Sequence, residues 1–138
     1  MAGGRVDVRG PRFGAVLTSA VLAAVLISGS GWLLAFQAVV FAVGAAAGVQ
    51  RSPYGWLFRV AVQPRLSPPG AFEDAAPPRF AQTVGLFFAI VGLAGYVLGP
   101  QWLGPAATAC ALAAAFLNAV FGYCLGCEVY LLLRRAAG

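Results

Sequence analysis

The sequence predicts an all-α integral membrane protein, with four transmembrane helices as two helical hairpins joined by a cytoplasmic interfacial segment. Three observations carry this expectation. Of 138 residues, 61% are hydrophobic and 9% charged, against roughly 25% charged in an ordinary soluble domain. Thirteen charges, nine basic and four acidic, do not cover a water-facing surface of this size. That excludes a soluble globular enzyme, a disordered tail and a nucleic-acid binder built on a basic patch. The second observation is where the charges fall: residues 1–12, residues 51–79 and residues 128–135, with 38 uncharged residues (13–50) and 48 uncharged residues (80–127) between them. A bilayer-spanning helix needs about 20 apolar residues, so each run is too long for one span and right for two. The third is the sign of the charge. Every basic residue is an arginine, and all nine fall on the side that an even number of spans assigns to both termini and the middle segment. That is the positive-inside pattern, so the net charge of +5 is a topological signal for the inner membrane with cytoplasmic termini.

The elements follow in chain order. Residues 1–12 form a cytoplasmic arm, whose Arg12 snorkels from a short first span to the headgroups. Spans are expected near 13–28 and 32–49, making a first hairpin over 13–49. Ser28-Gly29-Ser30-Gly31 turns between them, and Trp32 stands where an interfacial aromatic belt places it. Residues 50–79 are the cytoplasmic segment. Ser52-Pro53 supplies an N-cap and a first-turn proline for a short helix to Val62 lying in the interface. Gln63 to Gly70 and Ala75 to Pro78 are too proline-rich for helix or sheet and read as a connector. A second hairpin covers 80–133, with spans near 80–98 and 106–127, the latter open to extension to Leu133. Its turn, Gly99-Pro100-Gln101-Trp102-Leu103-Gly104-Pro105, again combines helix breakers with a boundary Trp. Residues 134–138 are a cytoplasmic tail. No open sheet is satisfied in lipid, so the spans are helices.

The halves resemble each other faintly. Pro11-Arg12-Phe13 and Pro78-Arg79-Phe80 open the two hairpins, each with a proline starting a helix and an arginine among lipid phosphates. Phe36-Gln37-Ala38-Val39-Val40-Phe41 and Leu117-Asn118-Ala119-Val120-Phe121 come late in each, which places Gln37 and Asn118 in matching positions as interhelical hydrogen-bonding groups. Two spans per unit make this a parallel repeat.

The candidate chemistry is at the end of the chain. Of three cysteines, Cys124 and Cys127 form Cys124-Leu125-Gly126-Cys127, followed by Glu128. Positions three apart share a helix face, which puts the Cα atoms about 5 Å apart, within disulfide range. A Cys-x-x-Cys freed at a helix terminus favours thiolate and exchanges with partner thiols. Glu128 is expensive at a membrane boundary unless wet, paired or functional. It is placed as a proton shuttle for a thiol or as a partner of a cytoplasmic arginine, although its charge by itself disfavours a neighbouring thiolate. The competing reading makes Gly122 and Gly126 a small-residue packing face with the cysteines as fillers. Metal binding ranks third. The chain has no histidine, and Cys110 stands about 21 Å from Cys124 along a continuous helix, so a two-thiolate soft-metal site is all that remains. No cofactor motif is present. The expected catalytic set is Cys124, Cys127 and Glu128, with no cofactor-binding or metal residues.

Pro11-Arg12-Phe13, Ser52-Pro53-Tyr54, Pro64-Arg65-Leu66, Pro77-Pro78-Arg79-Phe80-Ala81-Gln82, Ala114 to Ala119 and Phe121-Gly122-Tyr123-Cys124-Leu125-Gly126-Cys127-Glu128 together resemble a bacterial, mostly actinobacterial, membrane family. It is the domain of unknown function numbered four-three-nine-five. The resemblance covers nearly the whole chain and brings no established activity. In size and Cys-x-x-Cys placement such proteins are similar to membrane thiol–disulfide and sulfur-handling proteins. The expected function is a membrane thiol–disulfide or sulfur relay, working with the lipid bilayer and a soluble thioredoxin-like or sulfurtransferase partner at the arginine-rich face. The alternatives are a non-catalytic assembly component and a small transporter or soft-metal carrier.

Overall fold

The computed structural model describes residues 5–7, 9–66, 72–74 and 76–137. The chain is built of helices: α1 (Arg9–Ser28), α2 (Gly31–Ala47), α3 (Pro53–Leu57, continued by a π-helical turn over Phe58–Val62), α4 (Ala76–Leu98), α5 (Leu103–Phe121) and α6 (Leu125–Ala137). Three of them, α1, α4 and α5, are long and apolar enough to cross a membrane. The fourth apolar helix, α2, has 17 residues. Two short strands, β1 (Arg5–Asp7) and β2 (Phe72–Asp74), pair antiparallel with Val6 opposite Glu73. This ladder departs from the sequence expectation, which placed a cytoplasmic arm and a proline-rich connector there, and Ala76-Pro77-Pro78, read as connector, is instead the first turn of α4, where prolines cost no helical hydrogen bond. The strand forms on Phe72-Glu73-Asp74, a stretch free of proline between the two proline clusters. The connector residues 67–71 lie outside the described residues.

Each helix boundary has a local cause. Ser30 caps α2, its hydroxyl accepting from the Leu33 N–H at 3.1 Å, and Ser52 caps α3 through Gly55 N–H at 3.2 Å. Two glycines in positive-φ conformations end helices: Gly48 (φ 102°) ends α2, and Gly122 (φ 68°) ends α5. The Gly122 stop corrects the expected long last helix. Residues 106–127 are not one helix: α5 ends at Phe121, and α6 begins at Leu125 as a separate amphipathic helix.

Packing is through small residues, as expected where lipid removes the hydrophobic drive between helices. Leu22 and Val25 of α1, Leu34, Ala38 and Phe41 of α2, Ala89 of α4 and Ala111 of α5 form one buried cluster. Phe41 fits because Gly85 faces it, and a methyl there would come within 2.6 Å of the ring. At Gly95 a methyl would overlap the backbone of Gly104, so α4 and α5 touch main chain to main chain.

The faint repeat is a structural one, and it extends further than the sequence suggests. Arg12, at the start of α1, donates to the carbonyls of Ala119 and Val120 at the end of α5 (3.3 and 3.2 Å). Arg79, at the start of α4, donates to those of Ala45 and Ala46 at the end of α2 (3.0 and 2.7 Å). Both arginines therefore satisfy the last carbonyls of a helix, at its negative end, in place of the lipid phosphates expected for them. Phe13 packs its ring on Phe58 of α3 (5.8 Å), and Phe80 packs on Tyr130 of α6 (5.6 Å). Ser52 and Gly55 of the first half fall where Cys124 and Cys127 stand in the second, 72 residues on. Each half is thus a three-helix unit, α1–α2–α3 and α4–α5–α6. The ladder pairs the two segments that precede them, with Val6 opposite Glu73. Gln37 and Asn118 are not equivalent in this scheme: Gln37 stands eleven residues before its glycine stop, Asn118 four before its own.

Candidate functional site

Helix α6 owes its start to Gly122. The left-handed glycine turns the chain out of α5, its N–H bonding Asn118 O at 3.0 Å, and Tyr123 N–H bonds Leu117 O at 3.3 Å. Cys124 then sits in the N-cap place, with its sulfur accepting from Cys127 N–H at 3.1 Å and its carbonyl accepting from Glu128 N–H at 3.0 Å. The first half has the same geometry, with Ser52 Oγ accepting from Gly55 and Ser52 O from Trp56 N–H at 2.9 Å. Cys124 and Cys127 are joined as a disulfide with Cα atoms 5.1 Å apart, close to the separation expected from helical spacing. Gly126 packs tightly on Ala81 of α4, where an added methyl would come within 2.7 Å of the Ala81 methyl. Gly122 makes a turn and does not share in that contact, so the pair does not form the small-residue helix face considered above.

Glu128, the third expected site residue, lies in the first turn of α6 and is exposed. No arginine pairs with its carboxylate among the described residues. It stands near the pair in sequence, on the surface. Cys110 is a free cysteine on α5. Because the helix is broken at Gly122, the expected continuous-helix separation from Cys124 does not apply, and Cys110 shares a cavity with the disulfide. Among the described residues no three His, Cys, Asp or Glu side chains come together as a metal site.

That cavity, of about 960 Å³, lies between the two three-helix units. It is lined by Arg12, Tyr54 and the Cys124–Cys127 pair, along α5 from Asn118 to Cys110 and Ala111, and along α4 from Gln82 to Phe88. From the end of α5 to Cys110 is about 17 Å at helical rise. Tyr54 is held at the wall by its hydroxyl, which donates to Gln37 Oε1 at 2.6 Å; burial pushes its phenol up to about 12, so it stays neutral and donating. Gln37 itself is fully buried. At the outer edge Asp7 accepts from Arg9 (2.8 Å) and Gln63 (3.2 Å); the Arg9 hydrogen bonds hold its carboxyl below the usual carboxylate value, against the opposing effect of burial.

Sequence reasoning brought Cys124 and Cys127 together and missed the cavity, the Tyr54–Gln37 bond and the role of Arg12 and Arg79. One available signal was the recurrence of an aspartate four residues before Pro-Arg-Phe, Asp7 and Asp74. Another was the shared spacing of Ser52/Gly55/Phe58 and Cys124/Cys127/Tyr130.

A helical protein with three membrane-length apolar helices and a Cys-x-x-Cys pair at a cavity wall is the class these features define. The chain belongs to the family described as Domain of unknown function (DUF4395), whose model matches residues 6–135. No curated protein and no solved structure gives a significant match.

Proposed function

We propose that this protein is a four-span inner-membrane thiol–disulfide or sulfur relay that uses Cys124 and Cys127, with Glu128 handling protons. The single observation behind the reading is the placement of the disulfide. It sits at the N-terminus of α6, partly exposed, in the wall of a cavity, and not in the packed core. In the reduced pair, the Cys127 N–H and the positive end of α6 favour a thiolate on Cys124. That sulfur is then the better leaving group. A partner thiolate attacks the Cys127 sulfur, the S–S bond breaks and Cys124 departs as thiolate. The partner's second thiol attacks its own sulfur in the mixed disulfide and releases Cys127. Two electrons and two protons pass from the partner dithiol to this pair, and the partner becomes a disulfide. Exposed Glu128 gives or takes the protons at the water boundary.

In the same reading α2 is the fourth span. Its 17 residues reach about 26 Å, at the lower limit for a spanning helix. The two hairpins are 13–49 and 80–133, with residues 122–133 of the latter turned along the surface. Trp32 and Trp102, 90% and 67% exposed, stand at one end, while the arginines attach to segments at the other. The partner is a soluble thioredoxin-like or sulfurtransferase protein at that cytoplasmic, arginine-rich face.

The experiment is alkylation of inside-out vesicles with a membrane-impermeant maleimide before and after dithiothreitol. Labelling of both Cys124 and Cys127 only after reduction supports the relay; a pair that stays unreactive under both conditions sinks it. Reporter fusions at Ser30 and Gly138 give opposite sides if the four-span topology holds.

A further inference from the structure

We propose that the cavity between the two three-helix units is a quinone site and that a membrane quinone is the oxidant that re-forms the Cys124–Cys127 disulfide. This rests on the relay reading above and names the acceptor of its electrons. Three features converge on it. The pair lines the cavity, so a ligand inside it lies against the disulfide-forming residues. The cavity has apolar walls at Ala111, Ala114 and Phe88 beside polar lining groups, which suits a polar ring with an apolar tail, and its volume is that of a small-molecule site. Gln82 and Asn118 both line it, and neither side-chain amide has a hydrogen-bond partner among the described residues.

Both residues are only partly buried, so their amides are open to a ligand, and a ligand that pairs with them offsets the cost of an unpartnered amide at membrane depth. Two amide donors, one on α4 and one on α5, suit a ring that carries two carbonyl oxygens. A fatty acyl chain fills the apolar part and leaves both amides unsatisfied. A metal ion would want more than the two thiolates present. A quinone satisfies the amides and balances the chemistry. Cys124 and Cys127, as the dithiol, lose two electrons and two protons while the S–S bond forms. The two quinone oxygens take them, and hydroquinone leaves. The net flow is partner dithiol to cysteine pair to quinone.

The test uses the full chain in phospholipid nanodiscs, reduced and freed of reductant. It is mixed with decylubiquinone, whose fully substituted ring does not add thiols, Cys110 included. Disulfide formation is read by mass-tagging free cysteines, and quinol by its absorbance. Diamide, a water-soluble oxidant, gives a quinone-independent rate for every variant. Expected are one quinol per disulfide and a quinone-to-diamide rate ratio that falls about tenfold in Gln82→Leu and in Asn118→Leu, the cost of one good hydrogen bond. Oxidation by diamide but not by quinone, or an unchanged ratio in both variants, overturns the quinone assignment and leaves the relay standing. A pair that neither dithiothreitol reduces nor diamide oxidises overturns the relay, and the quinone site with it.

Discussion

Replacing Cys124 separates two jobs that one atom does. Its sulfur closes a disulfide and also caps α6 by accepting from Cys127 N–H. A serine hydroxyl reproduces the cap, because Ser52 does so at the equivalent place in the first half, whereas alanine does not. Losing an N-cap costs about 1 kcal/mol. The disulfide joins residues separated by three in sequence, and the loop-entropy relation for so small a loop gives about 2 kcal/mol. In the oxidised protein, Cys124→Ser is therefore expected to lose about 2 kcal/mol and Cys124→Ala about 3 kcal/mol. With TCEP present, wild type and Cys124→Ser become nearly equal, and Cys124→Ala stays about 1 kcal/mol below, roughly fivefold in the folded ratio. The assay is reversible unfolding in mixed micelles titrated with dodecyl sulfate, with and without TCEP, following tryptophan fluorescence. Equal stability of the serine and alanine variants under reduction would refute the capping role, and indifference of the wild type to TCEP would refute the disulfide term.

Further outcomes follow from the same geometry. Arg79→Gln is expected to cost about 2 kcal/mol and Arg12→Gln about 1 kcal/mol, because Arg79 makes three hydrogen bonds, two of them partly buried, and Arg12 two exposed ones; micelle unfolding that reverses this order contradicts the helix-end role. Tyr54→Phe leaves the fully buried Gln37 without its donor, a loss of about 1–3 kcal/mol, while Tyr54→Phe with Gln37→Leu recovers most of it; a neutral single variant would remove the bond from the account. For Asp7, whose carboxyl is held below its ordinary 3.8 chiefly by Arg9, the sign is that of a depressed acid: its stabilisation is present above that value and disappears as pH falls through the lower folded one. Hydrogen exchange of the β1–β2 ladder should therefore accelerate below about pH 4 in the wild type, and Asp7→Asn should show no such acceleration. An identical acid limb in the variant would exclude Asp7 as its source.

The sequence by itself determined the apolar helices and the spacing of the cysteines. Charge exclusion from lipid works over twenty-residue lengths, and Cys-x-x-Cys spacing is short-range, so both are visible in the order of residues. It also marked Pro11-Arg12-Phe13 and Pro78-Arg79-Phe80 as related, without showing why. Only the tertiary structure decided what those arginines do, since Arg12 meets Ala119 and Val120 more than a hundred residues later. It likewise decided that the last apolar run is two helices. A single glycine in the left-handed conformation reverses the effect of a continuous hydrophobic pattern, and hydropathy does not register φ. The cavity was illegible for the same kind of reason: Tyr54, Gln82, Asn118 and Cys124 come from four separate segments, and only packing of one unit against the other encloses a space between them. Local pattern set the helices and put two cysteines within reach of each other; long-range contacts between the halves set what those cysteines face.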